Sequence, residues 1–214
     1  MYNTIIFDLD GTLLNTLSDL CNSTNFALNK YGFKERTLEE VRTFVGKGAA
    51  VLIKRALPED ASDRLHAEVL ATFKEHYREH SNDLTAPYDG IIDMLTEVKK
   101  RGYKTAILSN KPHNAVCDLH ELFFKKYIDV ALGVKDGIPT KPDPIMVSNV
   151  LKELGSEAKT SLYVGDSEVD VMTASNSGLD MVTCLWGFRN KTELVLAGAG
   201  NFIEKPMDLC NWLK

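Results

Sequence analysis

Two aspartates, Asp8 and Asp10, stand one residue apart in the run Asp8-Leu9-Asp10-Gly11-Thr12. If Leu9 turns inward at the end of a strand, both carboxylates face one pocket, because side chains alternate along an extended chain. One can then attack as a nucleophile while the other handles protons, a division that paired carboxylates support when their environments differ. The run also fits an ordinary turn, since Asp and Gly both favour turns. A second acidic group lies in Gly165-Asp166-Ser167-Glu168-Val169-Asp170. Its carboxylates suit a hard divalent cation, which prefers oxygen ligands. Ser167 with Asp170 three residues on equally resembles a helix capping box.

Other segments carry groups suited to phosphate. In Leu108-Ser109-Asn110-Lys111, hydroxyl and amide groups stand where a strand gives way to a helix. There they serve as caps or as donors to an anion at the helix N-terminus. In Lys141-Pro142-Asp143-Pro144 the prolines restrict the backbone around a lysine, as a fixed point charge on phosphate requires. Gly46-Lys47-Gly48 reads as a loop between helices, and Lys47 is a candidate contact for an anionic distal group on a substrate. Trp186-Gly187-Phe188-Arg189 places an arginine after another strand-like segment, with a packing role expected for the aromatics. The histidines His66, His76, His80 and His120 show no ligand spacing and read as surface; His113 is assigned no role.

These groups must be positioned by regular elements. Thr4-Ile5-Ile6-Phe7 is apolar and β-branched and runs into the acidic turn, and similar strands are expected at 105–108, 128–132, 161–164 and 181–185. Their apolar character on both faces suits a parallel sheet covered by helices. Ile91, Leu95 and Val98 recur at helical spacing before Arg101-Gly102, as do Val147, Val150, Leu151 and Leu154 before Gly155. Strand and helix therefore alternate from about residue 90, the signature of a doubly wound α/β fold. Residues 16–81 break the rhythm with consecutive helical patterns and read as an all-helical insert after the first strand. The expected division is a core of 1–15 and 82–214 with a helical cap of 16–81.

The bulk composition narrows the class. The 214 residues are 44% hydrophobic and 26% charged, ordinary for a globular protein, and the formal charge of −5 argues against a nucleic-acid surface. Four widely separated cysteines carry no paired metal spacing and read as reduced, which fits a cytoplasmic protein. No signal peptide and no membrane span is expected.

Taken in order, Asp8 and Asp10, then Ser109, then Lys141, then Asp166 and Asp170 resemble the four motifs of the haloacid dehalogenase superfamily. The surrounding phrases Val45-Gly46-Lys47-Gly48, Pro87-Tyr88-Asp89-Gly90, Leu108-Ser109-Asn110-Lys111, Trp186-Gly187 and Ala197-Gly198-Ala199-Gly200 resemble its phosphoglycolate phosphatase branch. The resemblance implies a Rossmann-like core with a helical cap and hydrolysis of a small phosphorylated metabolite through an aspartyl-phosphate. It implies Asp8 as nucleophile and Asp10 as general acid and base. Ser109, Asn110 and Lys141 would bind the phosphoryl oxygens. Mg²⁺ would be held by Asp8, the Asp10 backbone carbonyl and Asp166, with Asp170 behind them; Gly46, Lys47 and Gly48 would form the specificity part of the cap. Asn15 departs from the acidic residue that relatives often carry there. Phosphomutase, pyrophosphatase and nucleotidase activities are the rival enzymes, and a non-catalytic binding module is the rival class. A monomer or a homodimer is expected.

Overall fold

The structure, a computed structural model, describes residues 1–213. Strand β1 (Thr4–Phe7) and the two-residue β2 (Leu14–Asn15) are followed by helices α1 (Leu17–Lys30), α2 (Leu38–Phe44), α3 (Ala49–Ala56) and α4 (Asp63–His80). Strand β3 (Ala86–Pro87) pairs with β2, and α5 (Ile91–Lys100), β4 (Lys104–Pro112) and α6 (His113–Leu119) follow. Then come β5 (Val130–Val134), α7 (Ile145–Leu154), β6 (Ser161–Gly165) and α8 (Glu168–Ser177). The chain closes with β7 (Asp180–Cys184), α9 (Lys191–Leu196), β8 (Phe202–Ile203) and α10 (Pro206–Trp212). It divides into two compact units, one of residues 15–86 and one of residues 1–14 with the chain from residue 87 onward. No described helix is long and apolar enough to cross a membrane.

The larger unit is built on a six-stranded parallel sheet of order β5-β4-β1-β6-β7-β8. Strand β1 is central and all four of its residues are buried. Its alternation sorts the core. Ile5 and Phe7 pack with Ile107, Leu162, Val164 and the α5 residues Ile91, Leu95 and Val98. Ile6 faces the other way, with Ala106, Leu108, Tyr163 and the α7 residues Met146, Val147 and Val150. Each fully buried aliphatic side chain contributes roughly 1.5–3 kcal/mol, so the helices are held by these two faces rather than by intrinsic propensity. This is the doubly wound parallel fold that the sequence implies.

Three details depart from the sequence reading, the first being that β4 runs on through Ser109, Asn110 and Lys111 to Pro112 where the sequence predicts a strand of 105–108. Strand β5 begins two residues later than expected, at Val130, because Ile128 turns its N–H to the Phe124 carbonyl at 3.0 Å after a π-helical turn at His120–Phe124. Ile128 is buried all the same, so its apolar character reports the core and not the ladder. Strand β8 and α10 extend the sheet edge, and strand β8 has only two residues to announce itself.

The smaller unit contains α1 to α4. Thr37 and Glu40 form a reciprocal capping box that starts α2, and Ser62 caps α4 through the Leu65 N–H. The buried Asp19 accepts from the Leu84 and Thr85 N–H groups and from the Thr85 hydroxyl at 2.8–3.1 Å, tying the end of the unit to α1. The segment Gly46-Lys47-Gly48 joins α2 to α3, with an exposed Lys47 between two glycines of positive φ.

Candidate active site

The order of the strands creates the site before any side chain is considered. From β1 the chain proceeds to β4 on one side, and from β6 it proceeds to β7 on the other. The neighbours β1 and β6 therefore flank a topological switch point, where connections leave in opposite directions and open a crevice at the strands' carboxyl ends. Register brings the motifs level: Phe7 pairs with both Ile107 and Val164. Asp8 follows Phe7, and its N–H donates to the Val164 carbonyl at 2.9 Å. Ser109 follows the end of the apolar run in β4, and Asp166 follows β6. Leu9 is fully buried between the two aspartates.

Asp8, Asp166 and Asp170 are all buried, and one carboxylate oxygen from each lies within 4.8 Å of the others. Lys141 bridges this group, its Nζ 2.8 Å from Asp8 Oδ1 and 2.8 Å from Asp170 Oδ1. Its third contact is the Tyr163 hydroxyl at 3.0 Å, and that hydroxyl itself donates to Asp170. The ammonium's three hydrogens are thus matched by three acceptors, which fixes its position. Asn110 sets the lysine's backbone: its amide donates to the Lys141 carbonyl at 3.1 Å and accepts from the Lys141 N–H at 2.8 Å.

The two acidic residues of the last motif have different surroundings. Asp170 Oδ2 accepts from the Asp166 and Ser167 N–H groups and from the Ser167 hydroxyl, while Oδ1 meets Lys141 and Tyr163. Five donors occupy it, so its lone pairs are spent inside the protein. The capping box suggested by Ser167 and Asp170 is also present at the start of α8, so capping and site building use the same carboxylate. Asp166 accepts from the Thr12 hydroxyl at 3.1 Å and the Phe188 N–H at 2.7 Å. Two glycines permit the close packing around it. A Cβ on Gly11, whose φ is +87°, would lie 2.4 Å from Asp166 Oδ2, and one on Gly187 would lie 2.3 Å from the Asp166 Cβ.

Electrostatics separates the carboxylates further. Burial, and then the charge of Asp170, push Asp8 well above the ordinary carboxylate range despite Lys141. Burial and Asp170 push Asp166 up to about 7. Burial acts on Asp170 in the same direction, but Lys141 and the donors around it outweigh burial and hold it low. Burial opposes charge on Lys141, yet Asp170 and Asp8 keep it ionised well above the lysine range.

Asp10 is held apart from this group. Its Oδ1 pairs with Lys111 Nζ at 2.8 Å, and the lysine side chain is 3% exposed. Sequence reasoning gave Lys111 no role, although its place two residues after Ser109 was visible. The Lys111 N–H donates to the Ser109 hydroxyl at 3.2 Å, within the irregular last residues of β4. Tyr163 was also missed, because a tyrosine inside an apolar strand reads as core. Arg189 is buried and pairs with Glu168 at 2.9 Å, and Trp186 donates to the Thr12 carbonyl at 3.0 Å, so both brace the site loops. Lys47 belongs to the other unit.

Asp8, Asp166 and Asp170 gather around the Lys141 ammonium, while Asp10 pairs apart with Lys111 and that pair is neutral. With all of them ionised the cluster is two charges short of neutrality, the charge of one divalent cation. The donors are all oxygen, as Mg²⁺ prefers. The saturation of Asp170 leaves Asp8 and Asp166 as the carboxylates able to ligate. The raised Asp8 and Asp166 follow from burial beside like charge, since desolvated like charges resist ionising together, and a divalent cation is the partner that such a pair of carboxylates would accept.

The profile of the haloacid dehalogenase-like hydrolases matches residues 5–184. Phosphoglycolate phosphatase 1 of Pseudomonas aeruginosa is 34% identical over 96% of this chain and 77% of its own. A phosphoglycolate phosphatase of Vibrio parahaemolyticus is 32% identical over 95% of this chain and 92% of its own. Among solved structures, a candidate phosphoglycolate phosphatase from Lactobacillus delbrueckii subsp. bulgaricus superposes with a TM-score of 0.94 at 35% identity, covering 97% of this chain and 96% of that one.

Proposed function

The chain belongs to the haloacid dehalogenase-like hydrolase family and is a phosphoric monoester hydrolase, and we propose that it is a Mg²⁺-dependent phosphatase working through an aspartyl-phosphate on Asp8. The observation that carries this reading is Lys141, pinned at 2.8 Å to both Asp8 and Asp170 beside Asp166 at the switch point. Phosphoryl transfer needs positioned charge more than elaborate covalent machinery, and this arrangement supplies it.

In the proposed reaction a carboxylate oxygen of Asp8 attacks phosphorus. As that bond forms, the bond to the leaving oxygen breaks, its electron pair stays on that oxygen, and Asp10 supplies the proton. Water then gives a proton to Asp10 while its oxygen bonds to phosphorus. The acyl-phosphate bond breaks, and its electrons return to the Asp8 carboxylate. Ser109 would offer the phosphoryl group a hydroxyl and Lys141 its positive charge, and Asn110 serves it by clamping Lys141. Asp8, the Asp10 backbone carbonyl and Asp166 would hold Mg²⁺, with Asp170 orienting Lys141 and the backbone of Asp166. A bound cation supplies positive charge that lets an anionic carboxylate approach an anionic phosphate.

For substrate we propose 2-phosphoglycolate, on the names of the relatives. Residues 15–86 are proposed as the cap, and Gly46, Lys47 and Gly48 as its contribution to recognising a second anionic group. The decisive experiment measures phosphate release with Mg²⁺ from phosphoglycolate, sugar phosphates, nucleotides and pyrophosphate, for the wild type and for Asp8→Asn. The expected result is phosphoglycolate as preferred substrate and complete loss in a folded Asp8→Asn protein. Turnover retained in that variant would remove Asp8 as the nucleophile.

A further inference from the structure

The active-site cluster contains a second buried lysine that the proposed chemistry has not used. Lys111 lies near the end of β4, three residues past its apolar run, and its side chain is 3% exposed. A lysine so buried must have a counter-charge, because an unpaired ammonium in such a place would lose its proton or unfold its surroundings. Its counter-charge is Asp10, 101 residues earlier in the chain, at 2.8 Å. Among the described residues the Asp10 carboxylate has no other ion-pair partner. The hydrogen bond runs to Oδ1.

From this geometry we infer that Lys111 is a positioning residue for Asp10. It fixes the carboxylate rotation by engaging Oδ1 and so reserves Oδ2 for the proton that passes to the leaving oxygen and returns from water. The inference rests on the proposed acid–base role of Asp10 and adds what holds that carboxylate in place. Two features support positioning over direct phosphate binding. The Asp8 side of the site already has its own lysine, Lys141, placed by Asp170, Tyr163 and Asn110. The Lys111 backbone is tied to the Ser109 hydroxyl, so the strand end that carries the lysine is itself fixed.

A positioning role has a signature that general damage lacks. Proton donation matters most for a poor leaving group and little for one that departs as a stable anion. Asp8 phosphorylation should therefore be followed by single-turnover release of the leaving group, with Mg²⁺, from an alkyl phosphate and from p-nitrophenyl phosphate. Lys111→Met keeps the length and removes the donor, and Lys111→Gln keeps a donor without the charge. For Lys111→Met, release from the alkyl phosphate should fall about 10- to 100-fold, a fraction of what general acid catalysis supplies. Release from p-nitrophenyl phosphate should change less than about threefold on the same grounds. Lys111→Gln should fall between wild type and Lys111→Met, and it decides the matter alone if Lys111→Met does not fold. Equal losses for both substrates, with weaker inhibition by inorganic phosphate, would make Lys111 a phosphate contact and overturn the inference. Unchanged rates would overturn it as well. Asp10→Asn separates the two levels: if it shows no leaving-group selectivity, the acid role of Asp10 fails, and the positioning role falls with it.

Discussion

The metal-free protein should become less stable as pH rises from about 5 to about 8, and Mg²⁺ should abolish that loss. Asp166 carries most of the argument. Its folded carboxyl titrates near 7 in place of the ordinary 3.8, burial and Asp170 being the causes. A carboxyl raised in this way binds its proton more tightly folded than unfolded. It has no effect on stability below pH 3.8, and it destabilises progressively as pH climbs through the interval to 7. Holding it as the anion above that interval costs about 4 kcal/mol. Part of this is already incurred at pH 5, so between pH 5 and 8 the loss is about 3 kcal/mol. Asp8 is raised by the same causes and adds to it. Asp170 is held low, so its contribution is lost only in more acid solution. Burial holds His76 and His113 below the usual histidine value; they act in the opposite direction, but both are half-exposed and weaker.

For a domain of this size a 3 kcal/mol loss lowers the melting temperature by roughly 6–12 °C. A cation binding only the folded state at a hundredfold excess over its dissociation constant returns about 2.7 kcal/mol, and more at high pH, where its ligands have lost their protons. Both tryptophans, Trp186 and Trp212, lie in the larger unit, so their fluorescence follows that unit alone. Melts in chelator and in excess Mg²⁺, at about pH 5 and about pH 8, give the comparison. Asp166→Asn, which has no proton to lose, should flatten the chelator series. A chelated protein as stable at the higher pH as at the lower, or an unchanged slope in Asp166→Asn, would refute the assignment of Asp166 as an unneutralised cation ligand.

Gly187→Ala should cost activity and about 1–3 kcal/mol of stability, because its new Cβ would stand 2.3 Å from the Asp166 Cβ and 2.5 Å from the Gly11 carbonyl; chelator and Mg²⁺ melts should show a reduced Mg²⁺ response. Asp19→Ala should destabilise the helical unit by about 3 kcal/mol, since it strips the acceptor from the Leu84 and Thr85 N–H groups. Hydrogen exchange at those two amides should accelerate, and unchanged exchange would count against the tie. Lys47→Ala should raise KM about tenfold, or 1.4 kcal/mol, for a substrate with a second anionic group while sparing a neutral analogue. An equal rise for both would remove Lys47 from substrate recognition.

Why some of this was legible in the sequence and some was not follows from the distance over which each signal acts. Asp8, Asp166 and Ser109 stand directly after apolar strand segments, so strand ends alone mark them as neighbours once the sheet is known to be parallel. Lys141 follows no strand in that way, and its order among the other motifs was needed to find it. The partners that make these residues useful are less visible. Lys111 pairs with a carboxylate 101 residues away, and Tyr163 hides its hydroxyl within an apolar strand and shows itself only through Lys141 and Asp170. Asn110 reads in the sequence as a phosphate donor, and nothing there shows that its carboxamide makes two bonds to the backbone of Lys141, 31 residues on. Side-chain chemistry names the reacting groups because reaction demands particular atoms. Any donor of suitable length can hold those groups in place, so the second task leaves a weaker mark on sequence. Lys111 and Tyr163 belong to that second task, and the leaving-group dependence of Lys111→Met measures how much of the chemistry depends on it.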